Sequence, residues 1–114
     1  MALDFLQAAD RPTTVIYNNP KGLAANVIAS DNTVAIRIVN DGFAHSLIES
    51  MNRPLVSTSA NFSEAPSPSC FDEIDLGLLK KADYVVNLSR SSKPSIASQI
   101  IRFNETGEVE ILRK

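Results

Sequence analysis

The stretch TVAIRIV, residues 33–39, is the clearest guide to the fold of this sequence, because its side chains alternate. One set is Val34, Ile36 and Ile38, and the other is Ala35, Arg37 and Val39. Successive side chains of a strand point to opposite faces, so this period of two predicts a β-strand. Arg37 then lies on a largely apolar face, where it either meets an anion or faces solvent from an edge strand.

Other stretches on both sides of residues 33–39 have the composition of strands. TTVIY is β-branched and aromatic, and the turn sequence NNPKG follows it. NETG separates two such stretches and predicts a hairpin in which Gly107 takes a positive φ. The further predicted strands are 13–17, 54–59, 83–88, 95–103 and 108–113.

Helices are predicted between these strands. Asp41 can cap a helix through residues 43–51, where apolar side chains recur at helical spacing. Ser69, with Asp72 three positions on, has the spacing of a capping box for a helix that residues 76–82 would continue. Residues 3–9 read as a short helix, and residues 23–30 as either a short helix or an extended piece. The mixed order predicts an α/β (α+β) fold, a mixed twisted sheet flanked by helices.

The composition indicates one ordinary globular domain. A chain of 114 residues with 44% hydrophobic residues can build one core, so residues 1–114 are expected to form a single domain. No apolar run is long enough to cross a bilayer, and the N-terminus lacks the pattern of a secretory signal, so we expect a cytoplasmic protein. A formal charge of −2 disfavours nucleic-acid binding by the chain as a whole.

Several residues that often carry chemistry have simpler explanations here. Cys70 and His45 are each the single residue of their type, which excludes an internal disulfide and cysteine-rich metal sites. We interpret Cys70 as structural and His45 as a surface residue. Asp72, Glu73 and Asp75 suit the first turn of a helix, where the macrodipole favours negative charge. The glycines form no phosphate-binding loop of the GxxxxGK[ST] kind.

The stretch PLVSTSANFSEAPSPS, residues 54–69, combines hydroxyl side chains, an asparagine and prolines. An ordinary surface loop explains this composition. The alternative is a nucleotide pocket, because hydroxyls, an amide and the backbone N–H groups of a sharp turn can surround phosphate oxygens or a ribose without adding charge.

Five stretches together resemble the YrdC-like family of threonylcarbamoyl-adenylate synthases. They are RPTTVIY, NTVAIRIV, RPLVSTSANFSEAPSPS, the PS of SKPS, and GEVEILR. The resemblance implies a YrdC-like fold and an enzyme that joins L-threonine, bicarbonate and ATP into threonylcarbamoyl-AMP with release of pyrophosphate. A separate tRNA-modification complex would then use the product to make N6-threonylcarbamoyladenosine in tRNA. The resemblance also implies Mg²⁺ in the intact enzyme and binding of tRNA or double-stranded RNA.

The resemblance assigns roles to individual residues. Arg37 matches the strand arginine near the phosphates and is the candidate catalytic clamp. The family serine after the proline is either Ser95 or Ser98, and we favour Ser95. The nucleotide-binding candidates are Thr14, Ser57, Ser59, Ala60, Asn61 and Ser95, and no residue is assigned to a metal.

The chain also departs from the family pattern. The family's N-terminal half, with its KxR motif, is absent, so we expect this chain to be the C-terminal portion of a YrdC-like domain and inactive alone. Arg11 stands in place of a glycine, Val39 in place of a proline, and Glu64 with Ala65 in place of a glycine.

Two other interpretations remain open. The chain could be a non-catalytic module that binds nucleotide or RNA, and a local basic patch could then consist of Lys80, Lys81, Arg90 and Lys93. Alternatively, it could self-associate through an exposed sheet edge.

Overall fold

The computed structural model describes residues 2–8, 10–88, 90–91 and 97–114. Its chain contacts divide into two compact units, Met1–Val56 with Ala97–Lys114, and Ser57–Ile96. The expectation of a single domain over residues 1–114 stays a prediction.

The first unit is built on a four-stranded mixed sheet. The strands are β1 Thr13–Asn18, β2 Thr33–Arg37, β3 Gln99–Phe103 and β4 Val109–Arg113, in the spatial order β2-β1-β3-β4. β1 pairs antiparallel with β2 and parallel with β3, and β3 pairs antiparallel with β4. With the helices, this sheet confirms the predicted α/β class.

The helices of the described residues are short. They are α1 Ala2–Ala8, α2 Gly42–Met51 and α3 Leu76–Lys81, with 3₁₀ turns at Ala25–Val27 and Phe71–Glu73. Asp41 occupies the N-cap position of α2, as predicted, but its side chain makes no capping hydrogen bond. Asn52 ends α2 in the left-handed conformation and donates its N–H to the carbonyls of Ile48 and Glu49.

The core of the sheet lies on one face of its central strands. Val15 of β1 and Ile101 of β3 are fully buried and are opposite each other in the parallel register, and Val34 of β2, which pairs with Tyr17, is also buried. Phe5 of α1 meets Phe103 of β3 edge to face, with 6.1 Å between ring centres. Because side chains alternate along a strand, Thr14, the neighbour of Val15, lies on the opposite face of the sheet.

The hairpin prediction is confirmed. Gly107 has φ +85°, and its N–H donates to the Asn104 carbonyl at 3.0 Å. The Asn104 side-chain oxygen accepts from the N–H groups of Thr106 and Glu108, which fastens the turn between β3 and β4.

Two predicted strands are wrong. Residues 54–59 and 83–88 have strand-like composition but carry no strand in this structure. A strand needs a neighbour that completes its hydrogen bonds, and within the described residues the sheet contains β1 to β4 alone.

The helix predicted from Ser69 is also different. Ser69 bonds to Glu73 rather than Asp72: its N–H donates to Glu73 Oε2 at 2.9 Å, and its hydroxyl lies 3.1 Å from both carboxylate oxygens. The segment makes a 3₁₀ turn and stops, and α3 begins separately with Asp75 as its cap, accepting from the Gly77 N–H at 2.7 Å.

Candidate functional site

Three segments of the first unit converge at one end of the sheet. The antiparallel register places Thr14 of β1 directly opposite Arg37 of β2. On the other side of Thr14, its hydroxyl shares a hydrogen bond with the hydroxyl of Ser98, with 2.7 Å between the oxygens. Thr14 is half-buried and Arg37 is exposed, so this end of the sheet presents two hydroxyls and a cation.

β4 brings a second arginine to the Ser98 side of this end of the sheet. Arg113 donates from Nε and Nη2 to the Ser98 carbonyl at 3.0 and 2.7 Å, and its Nη2 lies 3.5 Å from the Ser98 hydroxyl. Hydrogen bonds from a charged donor are stronger than neutral ones, so Arg113 holds Ser98 firmly. The cluster of Thr14, Ser98, Arg37 and Arg113 is called the sheet-end cluster below.

A β-bulge explains why the sequence analysis missed Arg113. Ile101 pairs with Ile111, and unbroken alternation would put Leu112 opposite Ile100. The register shifts between Ile100 and Ile101, and Arg113 pairs with Ile100 instead. No motif in the hairpin sequence indicates this register shift.

The position of Arg37 fits both interpretations that the sequence left open. β2 is an edge strand of the described sheet, and Arg37 is exposed on it. It also lies opposite Thr14 and lines an open cavity of about 720 Å³ beside the sheet end, together with Arg11, Asp10 and Asp41. Arg37 is therefore accessible from a cavity that carries side chains of both charges.

Residues 57–69, called the hydroxyl loop below, belong to the second unit. Ser57, Ser59 and Ala60 are exposed and lie in irregular backbone. Asn61 is half-buried and donates both side-chain N–H groups within the loop, to the carbonyls of Phe62 at 2.9 Å and Ala65 at 3.0 Å. The loop bounds a cavity of about 270 Å³, lined by Ala60, Asn61, Phe62, Ala65, Pro66, Ser67, Pro68, Glu73 and Asp75.

The other predicted residues are distributed as follows. Ser95 lies outside the described residues, so its assignment stays a prediction, whereas its alternative Ser98 lies in the sheet-end cluster. His45 lies 3.4 Å from Glu49, one helical turn away on α2. Cys70 is a free, half-buried thiol.

Two of the four residues of the suggested basic patch contact aromatic rings. Lys81 Nζ lies 5.5 Å from the centre of the Phe62 ring, and the Arg90 guanidinium lies 4.7 Å from that of Phe71. Arg90 also donates to the carbonyls of Val85 and Val86. Lys93 lies outside the described residues. Arg90 therefore donates hydrogen bonds to the protein itself, and this does not favour a role for Arg90 in RNA binding.

None of the helices in the described residues has the length and apolar character that crossing a membrane requires. Among the same residues, no group of three or more His, Cys, Asp or Glu side chains could hold a metal ion.

Comparison with known proteins gives a family and one curated relative. The model of the Sua5/YciO/YrdC family, described as "Telomere recombination", matches residues 2–114. A Methanocaldococcus jannaschii protein named as a threonylcarbamoyl-AMP synthase is 37% identical over 91 residues, which cover 78% of this chain and 42% of the relative. The chain thus spans about two fifths of the length of the curated relative that it matches. No solved structure matches significantly.

Proposed function

The chain belongs to the Sua5/YciO/YrdC family, and on that premise we propose that it forms the nucleotide-holding part of a threonylcarbamoyl-AMP synthase. The complete enzyme would join L-threonine, bicarbonate and ATP into threonylcarbamoyl-AMP and pyrophosphate. Its product would supply the tRNA-modification complex that makes N6-threonylcarbamoyladenosine, and we propose the cytoplasm as the place of this activity.

The sheet-end cluster is the observation that carries this proposal. In the reaction, the carbamate of threonine attacks the α-phosphate of ATP, a new oxygen–phosphorus bond forms, and pyrophosphate leaves. Negative charge is concentrated on the phosphate oxygens throughout, so a site needs fixed cations and hydrogen-bond donors aimed at them. Arg37 is such a cation. Thr14 and Ser98 share one hydrogen bond, so one O–H of the pair is left to donate to a phosphate, and Arg113 holds this pair in place through the Ser98 carbonyl.

Taken by itself, the loop of the second unit is also proposed to contact nucleotide. Ser57, Ser59, Ala60 and Asn61 match the family's nucleotide-facing loop, and the exposed hydroxyls add donors and acceptors without adding charge. In this proposal Mg²⁺ enters bound to the phosphates of ATP as part of the substrate.

We expect the chain to be catalytically inactive alone. It spans 42% of the length of the synthase from Methanocaldococcus jannaschii, and the lysine and arginine motif of the resembled family is absent from its sequence. That motif would supply the remaining positive charge and part of the threonine site.

The first test is a calorimetric titration of the chain with ATP and Mg²⁺. Arg37→Ala should weaken binding by about tenfold or more, since hydrogen bonds to charged groups contribute about 1.5–3 kcal/mol. Arg53→Ala is the matched control, because Arg53 is exposed and lies beyond α2, outside the cluster. Equal affinities for the chain and Arg37→Ala, or no saturable heat from the unmodified chain, would contradict the proposal.

A further inference from the structure

We propose that Asn61 is a positioning residue that holds the hydroxyl loop in shape rather than a group that donates hydrogen bonds to the nucleotide. This inference deepens the proposed function, and its consequence for ligand binding rests on that function. The starting observation is that the Asn61 amide makes its hydrogen bonds within the loop itself.

A side-chain amide has two N–H donors and one carbonyl oxygen. Both donors of Asn61 are used within four residues, on the carbonyls of Phe62 and Ala65 at 2.9 and 3.0 Å. The Asn61 oxygen lies 3.5 Å from the Ser67 hydroxyl. Asn61 therefore has no N–H left for a phosphate or a ribose oxygen unless the loop gives up one of these bonds.

The bonds of Asn61 close a turn that is costly to hold. The Ala65 N–H donates to the Phe62 carbonyl at 3.0 Å, and between them Glu64 takes φ +68°. Glutamate disfavours this left-handed conformation because of its Cβ. The two carbonyls that Asn61 holds are those of Phe62 and Ala65, which flank this strained residue, so the amide stabilises the turn against opening.

The shape of the turn determines the cavity beside it. Phe62, Ala65 and Ser67 all line the cavity of about 270 Å³. The carbonyls of Phe62 and Ala65 accept hydrogen bonds from the Asn61 amide, and the Ser67 hydroxyl lies 3.5 Å from the Asn61 oxygen. Loss of the amide would move these walls even though no ligand contact was removed.

Nuclear magnetic resonance of the full chain tests the geometry without any ligand. The two side-chain amide protons of Asn61 should exchange with water at least several-fold more slowly than those of Asn52, which lies exposed at the end of α2. In Asn61→Asp, which keeps the size and loses both donors, the resonances of Phe62 to Ser67 should shift while those of β1 and β3 stay unchanged. Asn61 protons that exchange as fast as those of Asn52 would overturn the inference.

A rescue experiment separates positioning from contact. Asn61→Ala should weaken ATP–Mg²⁺ binding by about tenfold, the scale of one to two lost hydrogen bonds. Adding Glu64→Gly, which removes the strain of the turn, should recover most of that loss, because glycine adopts positive φ freely. A loss that Glu64→Gly leaves unchanged would identify Asn61 as a direct contact and overturn the inference. If no variant binds nucleotide, the proposed function fails, and the amide exchange still decides the role of Asn61.

Discussion

Glu64 holds a backbone conformation that its residue type disfavours. Its φ of +68° lies in the left-handed region, where a side chain with a Cβ costs about 1 kcal/mol or more. The YrdC-like pattern has a glycine where this chain has Glu64 and Ala65, and Glu64 is the strained residue of the turn. The departure therefore costs stability in this loop.

Glu64→Gly should raise the free energy of unfolding by about 0.5–1 kcal/mol, the strain relieved less the added freedom of the unfolded chain. Asn52→Gly is the matched control, since Asn52 also has positive φ, at +53°, but asparagine tolerates this region well. Urea unfolding followed by circular dichroism should show the larger gain for Glu64→Gly. An equal or larger gain for Asn52→Gly would contradict this account.

The contacts between single residues of the sheet-end cluster were the least predictable part of the site. Thr14 and Ser98 are 84 positions apart, and their hydrogen bond depends on the parallel pairing of β1 with β3. The sequence predicted Thr14 and Arg37 from a resemblance and left Ser95 and Ser98 as alternatives. Arg113 was missed because its place depends on a register shift.

At the scale of elements, alternation predicted strands well where the chain supplies a partner. β1 and β2 confirm the strands expected at 13–17 and at the start of 33–39, and the turn chemistry of NETG predicted the hairpin. Residues 54–59 and 83–88 have equally suitable composition, yet no strand forms there. Composition indicates whether a stretch can form a strand, whereas the presence of a neighbouring strand to pair with depends on the whole sheet.

The sheet offers two isoleucines that face each other in different surroundings. Ile101 on β3 is fully buried, and its antiparallel partner Ile111 on the edge strand β4 is 51% exposed. Ile101→Ala should lower the free energy of unfolding by about 2–5 kcal/mol because it removes buried methyl groups and leaves a cavity. Ile111→Ala should cost less than about 1 kcal/mol, since its side chain is half in water already.

Denaturant unfolding of both variants measures this difference. Where Ile101→Ala is too unstable to give a transition, Ile101→Val should still cost about 0.5–1.5 kcal/mol. Equal costs at the two positions would mean that the face carrying Val15 and Ile101 is not the core of the sheet.

At the scale of the whole molecule, much apolar surface stays exposed. Both edge strands show large side chains to solvent, Ile36 on β2 and Ile111 with Leu112 on β4. The second unit exposes Phe62, Leu76, Tyr84 and Leu88. Contiguous apolar surface and unpaired strand edges both favour association with other chains.

We therefore expect the chain to self-associate through the β2 edge as its concentration rises. Ile36→Lys should weaken this association, because a lysine on an edge strand opposes pairing with another edge. Leu76→Lys is the matched control: Leu76 is more exposed than Ile36 but begins helix α3 of the second unit and is not on a strand edge, so its substitution should leave the association nearly unchanged. Sedimentation velocity over a concentration series measures both. A monomer at every concentration would contradict the prediction, and an equal loss in both variants would move the contact away from the β2 edge.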